Sequence, residues 1–103
     1  MNNLIEQQYN IIQTKAFITK NDLKILMGLD GADCKQMLQD VYHDIRKKYL
    51  TDCKGLNKIP PARYVIPLQY ALDYLKDYGI TSKKIIKNYR LELSMKGEKT
   101  KWN

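Results

Sequence analysis

The spacing of apolar residues along the chain predicts a mainly helical protein. Residues 31–50 show the 3.6-residue period of a helix with one apolar face, carried by Met37, Leu38, Val41, Ile45 and Tyr49. Shorter stretches with helical spacing predict four more helices, over 3–13, 20–27, the segment from Pro67 to Gly79, and 82–96. The inner face of the helix after Pro67 is expected to include Tyr78, and that of the last helix to include Leu93.

Local signals mark the ends of the two helices in the first half of the chain. Thr19 is suited to an N-cap, and Asp22, three residues later, completes a capping box. Gly28 is suited to the left-handed position that ends a helix. Asp30 and Asp33 repeat the capping pattern before the longer helix. The segment therefore predicts a short helix, a tight turn and a long helix.

Residues 51–66 break the helical pattern. Turn-forming residues lie near Gly55, and Pro60 and Pro61 exclude a central strand or a helix interior. Residues 63–66 have β propensity. This basic segment is expected to form a two-stranded hairpin or an extended arm, equivalent to a wing, with an ordinary surface loop as the alternative.

A short helix, a turn and a long helix in a basic chain point to a helix-turn-helix that binds DNA. The long helix would enter the major groove, where lysine and glutamine suit purine edges. The residues expected to read bases are Lys35, Gln36, Gln39 and His43. The residues expected to contact the DNA backbone are Thr19, Lys20, Asn21, Arg46, Lys54, Lys58 and Arg63.

The charge of the chain supports a polyanionic partner. Its formal net charge is +7, and the basic excess begins at the long helix and continues to the C-terminus. The alternative is a solvated lysine-rich surface of the kind that an AT-rich genome encodes. Asp30, Asp33, Asp40 and Asp44 lie near the helix that would meet DNA, which weakens the DNA interpretation and leaves a protein partner as an alternative.

Length and motifs limit the other classes. The 103 residues predict one domain over 1–96, with its core in 18–78 and a mobile tail at 97–103. No apolar run is long enough to span a membrane, and the N-terminus lacks signal-peptide features, so a cytosolic protein is expected. Cys34 and Cys53 match no metal-ligand spacing, and His43 is the single histidine. No enzyme activity, metal or cofactor is therefore expected.

Residues 18–66 resemble small winged helix-turn-helix proteins of phages and integrative elements in Gram-positive bacteria, similar to excisionases and to MerR-type DNA-binding domains. The first-helix pattern is matched by Thr19, Lys20, Asp22, Leu23, Leu26, Gly28 and Leu29. The element that ends the wing in this family is similar to four residues here, Ile59, Pro60, Arg63 and Tyr64. The chain departs from the family at Asp30-Gly31, where a Ser or Thr usually starts the recognition helix, and in its two additional C-terminal helices.

The resemblance implies a double-stranded-DNA-binding transcriptional regulator or recombination directionality factor. The alternative is a protein-binding adaptor on the same scaffold, such as a phage antirepressor or an inhibitor of a host protein. The two C-terminal helices leave open a homodimer or a protein partner. Four cations lie along one side of the last helix, Lys83, Lys84, Lys87 and Arg90. They form either a second phosphate-contacting strip or a solvated helix face.

Overall fold

The computed structural model describes residues 3–29, 34–57 and 65–102, with backbone alone at residues 3 and 96–102. It is mainly helical with a small antiparallel sheet, as the sequence predicts at this level. The elements in chain order are α1 Asn3–Thr14, β1 Phe17–Thr19, α2 Lys20–Met27, α3 Lys35–Gly55, β2 Val65–Pro67, α4 Leu68–Leu75, a 3₁₀ turn at Lys76–Tyr78, and α5 Ser82–Trp102.

Both predicted ends of α2 are confirmed. The Thr19 hydroxyl accepts from the Asp22 amide at 3.2 Å, and the Asp22 carboxylate accepts from the Thr19 amide at 3.1 Å, which is a complete capping box. Gly28 ends the helix at φ 67°. The amides of Gly28 and Leu29 donate to the carbonyls of Ile25 and Lys24, the bonding pattern of a Schellman motif.

Asp22 is the buried charge of this region. Its side chain is 8% exposed, and Lys15 Nζ lies 2.9 Å from each carboxylate oxygen. Burial acts to raise the pKa of Asp22, but the Lys15 hydrogen bond, the Thr19 amide and the Lys15 charge outweigh it, so the pKa lies below the ordinary value of 3.8. The ionised carboxylate therefore stabilises the start of α2.

The first helix supports both α2 and α5. The Gln8 side-chain amide donates to the carbonyls of Ile25 and Leu26 in the last turn of α2, at 3.0 and 3.2 Å. Tyr9 stacks on Tyr89 of α5, with ring centroids 3.8 Å apart and planes 5° from parallel. The first and last helices of the chain therefore pack together.

The core face of α3 is rotated slightly from the predicted one. Its buried side chains are Leu38, Val41, Tyr42, Ile45, Tyr49 and Cys53. Met37, predicted to point inward, is 48% exposed, and that prediction is wrong. Tyr42 takes the inward place because it follows Leu38 by four residues on the same helix face, whereas Met37 is the immediate neighbour of Leu38 and points about 100° away.

The bounds of α3 also differ from the predicted 31–50. The helix begins at Lys35, with Cys34 as its N-cap residue. It continues to Gly55 because its last turns are held by tertiary contacts: Cys53 is buried, and Asp52 accepts a hydrogen bond from Tyr70. The capping predicted for Asp30 and Asp33 lies outside the described residues.

The small sheet is not the predicted hairpin. β2 pairs antiparallel with β1, so that Ile66 lies opposite Ile18, and both side chains are fully buried. A hairpin within 51–66 is wrong for its described part, because residues 51–55 are helical and Val65 pairs with Thr19. Burying Ile18 and Ile66 together favours this long-range pairing. The rest of the predicted hairpin, 58–64, lies outside the described residues.

The C-terminal helices follow the prediction in part. Gly79 ends the 3₁₀ turn at φ 81°, but Tyr78 is 60% exposed and Leu93 is 43% exposed, so neither faces inward as predicted. α5 continues through Gly97 to Trp102, and the predicted end at 96 is wrong, because an interior glycine costs a helix only about 1 kcal/mol. The mobility of residues 97–103 stays a prediction. None of the described helices is long and apolar enough to cross a bilayer.

Candidate nucleic-acid interface

α2 and α3 pack against each other through apolar side chains. Leu23 and Leu26 belong to the same buried cluster as Leu38 and Val41. The face of α3 turned away from this cluster is left to solvent. The connection between the two helices spans residues 28–34, which is longer than the usual helix-turn-helix turn of about 3–4 residues.

A shallow groove runs along the exposed side of the second half of α3. We name it the α3 groove, and its lining residues are His43, Arg46, Lys47, Leu50, Thr51 and Lys54. None of these lining residues is acidic. Within the described parts of the chain, neither Lys47 nor Lys54 forms an ion pair, and both are exposed. The groove therefore presents uncompensated positive charge to solvent.

Arg46 connects this groove to the sheet. Its Nη1 donates to the Val65 carbonyl at 2.8 Å, and its side chain is half-buried. The guanidinium also lies beside the phenol of Tyr42, whose pKa is raised by burial although the Arg46 charge acts to lower it. Arg46 therefore anchors β2 to α3. The backbone contact predicted for it from the sequence would use its other N–H groups.

Two of the three carboxylates of α3 are hydrogen-bonded to α4. Asp52 accepts from the Tyr70 hydroxyl at 2.6 Å, and Asp44 accepts from the Tyr74 hydroxyl at 3.1 Å. Both bonds join α3 to α4. The hydrogen bond to Asp52, with burial and the Asp52 charge, raises the pKa of Tyr70 to about 12. These two acids therefore hold α4, and neither is among the residues that line the α3 groove.

The pKa of Tyr74 is also raised. Its hydrogen bond with Tyr78 is the largest cause, followed by burial and by the bond to Asp44. The two rings stack, with centroids 5.7 Å apart. Tyr74 therefore stays neutral and keeps donating to Asp44 at alkaline pH.

The four residues predicted to read bases lie in the first half of α3. Lys35, Gln36 and His43 are exposed, and Gln39 is half-buried. The Gln36 amide donates to Asp40 at 2.9 Å, so a carboxylate shares this part of the surface. The structure brings His43 into the α3 groove, whereas the other three lie closer to the start of the helix.

Lys47 and Thr51 were missed as site residues by the sequence reasoning. Of the cations near the end of this helix, Arg46 and Lys54 were assigned to the DNA backbone, and Lys47 was left unassigned. The available signal was the spacing of His43, Lys47, Leu50 and Lys54, which places these four residues on one face of a helix. Thr51 also bonds within the helix, donating to the Lys47 carbonyl at 2.8 Å.

The other predicted backbone contacts are not brought to the α3 groove. Thr19 uses its hydroxyl in the cap of α2, and Lys20 is half-buried in the first turn. Asn21 lines a separate depression between α1 and α2, together with Lys24 and Gly28. Lys58 and Arg63 lie outside the described residues.

The cations predicted as a strip on α5 are all exposed, and they are Lys83, Lys84, Lys87 and Arg90. Among the described residues, no three His, Cys, Asp or Glu side chains come close enough together to hold a metal ion. Comparisons with protein-family models, curated proteins and solved structures gave no match.

Proposed function

We propose that this protein binds double-stranded DNA through α3, as a winged helix-turn-helix protein. The observation that carries the proposal is the segregation of charge on α3. The α3 groove is lined by cationic and neutral side chains, whereas Asp44 and Asp52 do not line it and are hydrogen-bonded to α4. The second half of the helix can therefore approach phosphates through a lining that contains no carboxylate.

The dimensions of α3 suit the major groove. From His43 to Lys54 the helix rises about 17 Å, roughly the rise of five base pairs. Lys47 and Lys54 contact phosphates in this proposal. The residues that read bases are His43 and, nearer the start of the helix, Lys35, Gln36 and Gln39. The packed cluster of α2 and α3 holds the helix in one orientation.

The wing is the segment between α3 and β2. Its start follows α3 directly, and its end is fixed to α3 by the bond from Arg46 to Val65. Both ends of the segment that contains Lys58 and Arg63 are therefore held at α3. We infer that these two cations contact the DNA backbone beside the recognition helix. The proposed role is transcriptional regulation or recombination directionality for a phage or mobile element, in the cytosol.

Salt dependence of binding tests the proposal. Fluorescence anisotropy with a labelled random-sequence duplex gives affinity as a function of salt concentration. Removing one phosphate contact lowers the slope of log affinity against log salt by about 0.9, so Lys47→Gln with Lys54→Gln should lower it by about 2. Lys76→Gln is the matched control, because Lys76 is an exposed lysine on the 3₁₀ turn, away from α3.

Two results would contradict the proposal. One is the absence of duplex binding by the unaltered protein at low salt. The other is a loss of slope in Lys76→Gln as large as half the loss in Lys47→Gln with Lys54→Gln, which would show that each lysine contributes by diffuse attraction and not through a site. Selection from a random duplex pool then tests base reading, since an enriched sequence requires contacts of the kind proposed for Gln36, Gln39 and His43.

A further inference from the structure

One face of α5 combines exposed cations with exposed apolar side chains. Lys84, Lys87, Leu91 and Met95 follow one another at helical spacing, and we name this set the α5 outer face. Leu91 is 54% exposed and Met95 is 57% exposed. The buried Ile85 and the stacked Tyr89 lie on another side of the helix, towards the core and α1. The fold therefore leaves the side chains of Leu91 and Met95 largely exposed to solvent.

The two halves of the α5 outer face differ in chemistry. The two lysines occupy its first half, and within the described residues they form no ion pair. The two apolar side chains occupy its second half. The whole face, from Lys84 to Met95, is about 17 Å long. Leu91 and Lys87 also line one shallow groove together with Ile86 and Arg90. A matching ligand needs carboxylates at one end and apolar groups at the other.

The positive charge of α5 makes a second copy of this chain a poor partner for the α5 outer face. Residues 82–102 contain seven Lys and Arg and two Glu. Pairing this helix with itself would place the cations of two copies together, and like charges at close range are unfavourable. An acidic partner would instead neutralise them.

DNA is also a poorer match for this face. Surfaces that contact phosphate combine cations with polar groups and backbone amides, and they gain nothing from burying leucine and methionine. Helix-in-groove recognition of a protein segment uses apolar anchors at i, i+3, i+4 and i+7 spacing, with charges beside them. Leu91 and Met95, at i and i+4, supply such anchors.

We propose that the α5 outer face binds an acidic amphipathic helical segment of a partner protein. Its carboxylates face Lys84 and Lys87, and its apolar side chains cover Leu91 and Met95. This interaction does not depend on DNA binding by α3, so the protein would have two separate binding surfaces. α5 would then connect the DNA-binding half of the molecule to another protein.

The test uses the full chain and two synthetic labelled peptides. The first is a helical peptide with glutamates and a leucine stripe, and the second has the same charge with serine in place of each leucine. Fluorescence anisotropy should show the leucine peptide binding at least about tenfold more tightly. Leu91→Gln with Met95→Gln should remove that difference. Lys84→Gln with Lys87→Gln should weaken both peptides and reduce the salt dependence.

Leu93→Gln is the matched control. Leu93 is an exposed leucine on the same helix but on another face, and it should leave peptide binding unchanged. Circular dichroism verifies that each variant keeps its helix content, as expected because leucine and glutamine have similar helix propensities.

Three outcomes would overturn the proposal. Equal binding of the two peptides would show attraction by charge alone. A dimer in sedimentation that Leu91→Gln with Met95→Gln abolishes would make the face a contact between copies. Loss of duplex DNA affinity in Lys84→Gln with Lys87→Gln, with no preference for the leucine peptide, would make it a phosphate-contacting strip.

Discussion

Asp22 is the side chain on which the start of α2 depends. It accepts from the Thr19 amide and pairs with Lys15, all within a site where the carboxylate is 8% exposed. Its lowered pKa shows that folding favours the ionised form. A carboxylate with a lowered pKa in the folded protein contributes stability that is present above its ordinary pKa and is lost as pH falls through the folded value.

We therefore expect Asp22→Asn to lower the free energy of unfolding by about 1–2 kcal/mol at pH 7, because the ion pair and one charged hydrogen bond are lost. The deficit should begin to shrink as pH falls below about 4, where Asp22 of the unfolded chain becomes protonated, and should be lost as pH falls through the lower pKa of the folded protein. Urea unfolding at several pH values measures this.

The control for this experiment is Asp77→Asn. Asp77 is an exposed carboxylate in the 3₁₀ turn, and its replacement should change stability little at any of these pH values. A constant deficit in Asp22→Asn down to pH 2 would show that the side chain contributes through packing and not through its charge.

At the scale of elements, the sequence predicted best those features of a helix or strand that depend only on residues close to it in the chain. The capping box and the glycine end of α2 require only residues 19–29, and both are present. The sheet could not be predicted in the same way, because each strand has three residues and its partner lies elsewhere in the chain. The last turn of α3 likewise depends on the bond between Tyr70 and Asp52.

The candidate site shows the same division between local and distant information. Exposure of Lys35, Gln36 and His43 follows from the period of α3, and the structure shows it. The hydrogen bonds that hold Asp44 and Asp52 against α4 could not be foreseen, because their partners, Tyr74 and Tyr70, lie far along the chain. Arg46 was likewise assigned to phosphate alone, since its acceptor, Val65, is far along the chain.

Alanine substitutions at two glycines that lie at helix ends should change the stability of the protein in opposite directions. Gly28 has φ 67°, so Gly28→Ala should destabilise the protein by about 1 kcal/mol, although the nearest atom to an added Cβ is 3.8 Å away. Gly55 lies in the last turn of α3 without a positive φ, and an added Cβ meets nothing within 4 Å. Gly55→Ala should therefore stabilise by about 0.5 kcal/mol.

Chemical denaturation of both variants measures this difference. Because the two substitutions add the same methyl group, each is the control for the other. Equal effects of the same sign would contradict the assignment of the Gly28 effect to its left-handed backbone. Gly28→Asn should cost less than Gly28→Ala, since asparagine adopts that conformation more readily.

At the scale of the whole molecule, the contact between α1 and α5 closes the fold. Tyr9 and Tyr89 join helices at opposite ends of the sequence, and Gln8, next to Tyr9, bonds to the end of α2. α1 therefore links α5 to the helices that carry the proposed DNA interface. Unfolding of the described elements should then be a single cooperative transition.

Removing the stacked ring tests this closure. Tyr89→Ala should lower the free energy of unfolding by about 2 kcal/mol, through lost burial and lost ring stacking, and should lower Tm by about 10 °C. Leu93→Ala, on the same helix but 43% exposed, should cost less than about 0.5 kcal/mol. In a double-mutant cycle with Tyr9→Ala, a coupling of about 1 kcal/mol is expected for rings in direct contact. Circular dichroism at far- and near-ultraviolet wavelengths should give coincident transitions. A partial loss of far-ultraviolet helix signal before the near-ultraviolet transition would contradict a single cooperative unit.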